Sequence, residues 1–155
     1  MKNSTSAQPA KLDQSLSQFL CNQHLTHFVT LVFNRYDMTL PSARRKLRHW
    51  HGHVDRALLG PNWSQKPSSA RTLFYAFPEH IDTNLHFHLL ARPAVSTRAV
   101  CFENAATVYW SELVRGGSID IAPITQINGV VHYATKDTWR PRNFENFIIS
   151  TEFIG

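Results

Sequence analysis

The sequence predicts an α+β domain organised around one antiparallel sheet. Two observations carry this. Short runs rich in β-branched and aromatic residues alternate with longer stretches of helical periodicity, and two of the short runs are separated only by turn-forming residues. A chain of 155 residues with 43% hydrophobic content suits a single core rather than two.

Residues 1–24 read as a polar leader in which "LDQSLSQFL" (12–20) forms a short helix, and residues 25–155 as the domain. "HFVTLVF" (27–33) reads as a strand buried on both faces. "PSARRKLRHWHGHVDRALLG" (41–60) opens with Pro and closes with Gly. Its Leu47, Trp50, Val54 and Leu58 recur at helical spacing, which predicts an amphipathic helix. After the loop "PNWSQKPSS", "RTLFYAFPE" (71–79) is a second strand. "HIDTN" is turn chemistry, and "LHFHLLAR" (85–92) returns to complete a hairpin. A helix over 97–115 places Phe102, Ala106, Tyr109 and Leu113 on one face and stops at "GG". "SIDIAPI" (118–124) is a fourth strand, "NGVVHYATKDTW" (128–139) a short helix and "NFIIST" (146–151) a last strand. The order β-α-β-β-α-β with a late helix is that of a ferredoxin-like (RRM-like) fold. Its expected form is a central antiparallel sheet, helices on one face and the late helix near the open face.

Lys and Arg outnumber Asp and Glu by 16 to 11, a mild bias towards a polyanionic partner. Cys21 and Cys101 are neither clustered nor spaced as metal ligands, so they read as free thiols in a reducing compartment. No apolar run reaches membrane-spanning length, and the polar start "MKNSTSAQPAKLDQS" is not a secretory signal. The expected location is the cytoplasm, or the nucleus of a eukaryotic or viral host. A phosphate-cradling GxxxxGK[ST] loop is absent, which excludes a P-loop ATPase.

Side chains on a strand alternate between faces, so His86 and His88 point one way while Leu85, Phe87 and Leu89 point the other. Two imidazoles aimed at an open sheet face can grip one divalent cation. A second pair, His51 and His53, lies on a helix, where residues two apart diverge, and reads as solvated or half-packed. A catalytic metal site wants a third protein ligand and open positions. Glu79 and His80 compete for that role, because a bulge at Pro78 would change which side chain faces the metal. A carboxylate would suit Mn²⁺ or Mg²⁺. In "VVHYATKD", Tyr133 and Lys136 share a helix face at i and i+3. A phenol is a poor nucleophile near neutral pH, and a neighbouring ammonium stabilises its phenolate.

The hydrophobic first strand "HFVTLVF", the His-hydrophobe-His strand "HFH" preceded by an acidic residue, and the late "YATK" resemble the three ordered motifs of HUH endonucleases. The likeness spans roughly residues 27–140 and is greatest to the single-tyrosine initiators of rolling-circle replication in small viruses, plasmids and mobile elements. It implies that His86, His88 and Glu79 hold the metal, that Tyr133 is the nucleophile, and that Lys136 positions or charge-balances it. Position 137 is Asp where two-tyrosine members carry a second Tyr. The implied activity is nicking and rejoining of single-stranded DNA, at an origin or hairpin, through a 5′-phosphotyrosyl link. A helicase would then be a separate host protein. A single-tyrosine transposase is the alternative within the class, favoured by a dimer that exchanges its tyrosine helices.

Arg44, Arg45, Lys46 and Arg48 beside Trp50 could track phosphates, with a solvated helix face as the bland reading. Arg35, Arg71 and Arg92 are further DNA contacts to consider. The rival from another class is a non-catalytic single-strand binder that stacks bases on Phe74, Tyr75, Phe77 and Phe87.

Overall fold

The computed structural model describes residues 7–95, 98–136 and 144–154. Its principal elements are α1 (Ala7–Cys21), β1 (His27–Val32), α2 (Leu40–Leu59), β2 (Leu73–Glu79), β3 (His86–Arg92), α3 (Ala99–Leu113), β4 (Ser118–Pro123), α4 (Ile127–Thr135) and β5 (Ile148–Ile149). The predicted elements recur in the predicted order, and short 3₁₀ turns fill several connections. The predicted last helix extends over 128–139, of which residues 137–139 lie outside the described residues, as does most of the polar leader's start.

The strands form one antiparallel sheet in the order β4-β1-β3-β2-β5. Strand alternation divides its two faces. Val29, Leu31, Phe74, Ala76, Phe87, Leu89 and Ala91 point into the larger core, which α2 and α3 cover. On the other face, Tyr75, Phe77 and Leu90 pack with Leu20 of α1 and with Val131 and Ala134 of α4. The late helix α4 thus lies on the face expected for it, and α1, which was not expected there, joins it. The second face is roofed by α1 and α4 in part, and its remainder lies open around the histidines.

The ends of α2 follow from its sequence. Thr39 is extended at the N-cap and its side chain accepts a hydrogen bond from Ser42 N, Pro41 sits in the first turn, and Gly60 terminates the helix at φ 87°. Leu47, Trp50 and Val54 are fully buried and Leu58 nearly so, as the helical spacing predicts. Truncating Leu47 to Ala would cost about 2–5 kcal/mol.

Several expectations are corrected. In α3 the buried stripe is Phe102, Ala106 and Trp110, while Tyr109 and Leu113 are only half-buried. Trp110 wins because its indole Nε1 donates to Val32 O at 3.3 Å, so it can enter the core without losing its polar partner. Strand β1 is buried on one face only, since Phe28, Thr30 and Val32 are half-exposed on the other. Pro78 inserts no bulge. The β2–β3 register runs unbroken from Leu73↔Arg92 to Glu79↔His86, and β5 pairs only Tyr75 and Ala76, so Pro78 lies beyond that pairing. Phe74, Tyr75, Phe77 and Phe87 are all buried, which removes the proposed base-stacking platform. Trp50 is likewise buried, with its Nε1 on Ala106 O.

His51 is not solvated. It is 1% exposed, with Nε2 on Thr72 O at 2.9 Å and beside Asp55 at 3.2 Å. Asp55 is itself fully buried and accepts from Arg71 Nε at 2.8 Å and Thr72 N at 3.0 Å, tying α2 to the start of β2. His53, two residues on, is exposed and stacks on Tyr109.

Candidate metal centre

Antiparallel register lays the polar side chains of the second face in rows. One row runs Asp120–Thr30–His88–Phe77 across β4, β1, β3 and β2, and the next runs Ser118–Val32–His86–Glu79. Cross-strand neighbours have Cβ atoms about 4.5–5.5 Å apart, so His86 meets Glu79 directly and His88 reaches it on the diagonal. His86 Nε2 and His88 Nε2 each lie 2.8 Å from Glu79 Oε2. Glu79, His86 and His88 offer three ligand atoms within 4.8 Å of one another. His80 is exposed, at φ 50°, and is not in this cluster, although its ring lies 5.4 Å from that of His86. The regular register decides for Glu79 as the third group.

The donor set fits a divalent cation. A pair of ligands at right angles around an ion with bonds of about 2.0–2.1 Å is separated by roughly 3 Å, close to the spacings here. The outer nitrogens are held as ligands require: His86 Nδ1 faces Asn84 O at 3.0 Å and His88 Nδ1 faces Thr30 Oγ1 at 3.3 Å. His86 thus has an acceptor at each nitrogen. A neutral imidazole carries one N–H, so satisfying both needs a second proton or a cation between Nε2 and the carboxylate. Glu79 Oε1, buried, makes no directed hydrogen bond among the described residues and has only the Lys136 ammonium nearby, at 3.3 Å.

The electrostatics agree with the geometry. Burial alone would raise the Glu79 carboxyl, but His88, His86 and Lys136 together hold it at about 2. Burial pushes the His88 imidazole down against the pull of Glu79, which favours its neutral, metal-binding form. For Lys136 desolvation opposes the charge, yet Glu79 and the Tyr133 hydroxyl keep its pKa raised.

Tyr133 comes to the same place from α4. Val131 and Ala134 anchor that helix on the sheet, leaving Tyr133 48% exposed at the rim. Its ring centre lies 5.3 Å from that of His88 and 5.9 Å from that of Phe28, which itself stacks on His88. Lys136 Nζ sits over the Tyr133 ring. Glu79, His86, His88, Tyr133 and Lys136 all line one open depression of about 580 Å³. Asp120 and Asn84 line it too, and neither was expected from the sequence. The alternation of "SIDIAP" hints that Asp120 faces away from Ile119 and Ile121, but only the β1–β4 register brings it beside Thr30.

The arginines are not gathered there. Arg44, Arg45 and Arg48 lie exposed on α2, across the sheet from the histidines. There Arg44 pairs with Glu152 and Arg45 donates to Ser42 Oγ. Arg35 follows the end of β1 that neighbours His86 and pairs through both Nε and Nη2 with Asp37. Arg92 shares the histidines' face but lies at the far end of β3, donating to Gln23 O at 2.7 Å. Arg71 is committed to Asp55. Among the described residues, no helix is long and apolar enough to cross a membrane. Compared with known protein families, curated proteins and solved structures, the chain matches none.

Proposed function

We propose that this protein is a metal-dependent endonuclease and strand transferase of the single-tyrosine HUH type, built on a ferredoxin-like frame and acting on single-stranded DNA. One observation carries the reading: an exposed tyrosine with a lysine on its ring opens onto the same depression as a Glu-His-His cluster. Mn²⁺ or Mg²⁺ bound there would withdraw charge from a scissile phosphate. Glu79, His86 and His88 would hold that ion and so fix where it meets the strand. The Tyr133 oxygen attacks phosphorus, its proton leaves to solvent, and the Lys136 ammonium stabilises the phenolate as it forms. The P–O3′ bond breaks, leaving a free 3′-hydroxyl and a 5′-phosphotyrosyl link. No water is consumed, so a 3′-hydroxyl can attack the link and rejoin a strand.

The open depression suits an unpaired strand better than a stacked duplex. An initiator of rolling-circle replication that keeps Tyr133 on its own His88, as here, and a transposase that exchanges tyrosine helices are separated by the oligomeric state in solution. The burial of Phe74, Tyr75, Phe77 and Phe87 weighs against a simple base-stacking binder. Pooled single-stranded oligonucleotides incubated with the protein and Mn²⁺, then run on a denaturing gel, test the reading. A covalent protein–DNA adduct is expected. Two unattached DNA ends without an adduct would mean that water attacks instead, and would return Tyr133 to a packing role.

A further inference from the structure

A second pocket, about 500 Å³, lies on the α2 side of the sheet, between that helix and residues 63–71. Arg48, His51, Arg56, Trp63, Arg71 and Phe153 are among its walls. Arg48, Gly52 and Arg56 recur at intervals of four, so α2 presents them along one stripe. Neither Arg48 nor Arg56 has a carboxylate partner among the described residues, whereas Arg35, Arg44 and Arg71 each do. The carboxylate close at hand, Asp55, is buried and already engaged by Arg71, Thr72 and His51. The pocket is therefore cationic with nothing of its own to neutralise it.

Its walls are built rather than incidental. Trp63 closes against α2 where Gly52 has no side chain; a Cβ there would come within 3.1 Å of the indole. The Arg71 guanidinium lies 4.9 Å from the centre of the same indole. The His51 Nε2–H donates to Thr72 O, and burial holds the ring neutral, so Nδ1 is left as a lone-pair acceptor. That atom is buried and has no partner among the described residues.

We propose that this pocket binds a nucleotide unit: a phosphate on Arg48 and Arg56 and the base ring beside Trp63 and Phe153. Guanidinium forks match phosphate oxygens two at a time, and the volume is within the ordinary range of small-ligand sites. A free mononucleotide and one unit of a DNA strand share this chemistry. The site stands apart from the metal centre and does not depend on strand cleavage.

The test is calorimetric titration of the whole chain, in chelator, with each of the four 2′-deoxynucleoside 5′-monophosphates, inorganic phosphate, and a short single-stranded oligonucleotide. The Arg48→Ala, Arg56→Ala double variant and Trp63→Ala are titrated alongside. At least one mononucleotide should bind, and the arginine variant should bind it at least tenfold more weakly while keeping the wild-type response to Mn²⁺. If the oligonucleotide binds more tightly and the mononucleotide displaces it, the strand is the source. If the oligonucleotide does not bind, the free nucleotide is. Absence of mononucleotide binding, affinity unchanged in the arginine variant, or inorganic phosphate binding equally well would each overturn the proposal.

Discussion

Lys136 holds its ammonium 3.9 Å from the centre of the Tyr133 ring. The same nitrogen lies 3.3 Å from Glu79 Oε1, so one charge bridges the expected nucleophile and the carboxylate of the candidate metal centre. An attacking phenolate and a buried carboxylate repel each other unless a cation stands between them.

Lys136→Ala should therefore slow adduct formation by about a hundredfold, the usual scale for losing one charge-stabilising donor. Single-turnover rates at saturating Mn²⁺ measure it. Without metal, stability should fall by about 1–3 kcal/mol, because the buried Glu79 Oε1 loses its neighbouring cation. An unchanged rate would remove Lys136 from the chemistry.

Tyr133→Phe removes one oxygen from a half-exposed ring, so the fold should persist within about 0.5 kcal/mol. Binding to a single strand should survive while the adduct vanishes. Residual adduct in this variant, mapped to another residue by peptide analysis, would reassign the nucleophile.

Mn²⁺ at a hundredfold excess over its Kd should stabilise the protein by about 2.7 kcal/mol, or roughly 5–10 °C in Tm. The His86→Ala, His88→Ala variant should lose that shift. Scanning calorimetry with and without the metal decides it, and an equal shift in the variant would place the ion elsewhere.

How much of this could be read from the chain depends on which physical signal each part leaves. Period-two alternation made the common facing of His86 and His88 legible, because strand geometry permits no other arrangement. The choice between Glu79 and His80 was not legible, since it rests on register across the 81–85 turn and on Pro78 staying in line. Helical periodicity found the buried stripe of α2. With that helix expected on the face away from the histidines, Arg44, Arg45 and Arg48 were already set apart from them, but the pairing of Arg44 with Glu152 left no signal. His51 left no signal either, as its partners Asp55 and Thr72 meet only after α2 docks on β2.

Without metal, Glu79 makes stability depend on acid. Its folded carboxyl sits at about 2 against an ordinary 4.5, so as pH falls the unfolded chain takes up the proton first. The stabilisation is complete above about 4.5 and is lost as pH falls from there towards 2. Urea midpoints in chelator across that window should fall more steeply for the wild type than for Glu79→Gln. Parallel curves would show that the carboxylate contributes nothing to the metal-free fold.

Asp55 is the sharpest stability test. Asp55→Ala leaves the buried Arg71 guanidinium and Thr72 N–H without their acceptor, so it should cost about 3–5 kcal/mol. Thermal melts should drop by roughly 6–20 °C. A loss below about 1 kcal/mol would mean that water readily replaces the carboxylate.

The short β5 has a consequence at the other side of the candidate metal centre. Because it pairs only Tyr75 and Ala76, the last residues of β2 lie along an edge that β5 does not cover. Uncovered edges generally invite a neighbouring chain to add a strand, but here Phe77, Pro78 and Glu79 are all buried. Pro78 sits on that stretch and has no N–H to offer an incoming strand. A replacement such as Pro78→Val would supply a ladder donor beside Glu79, which lines the depression, and remove one of the safeguards on that edge.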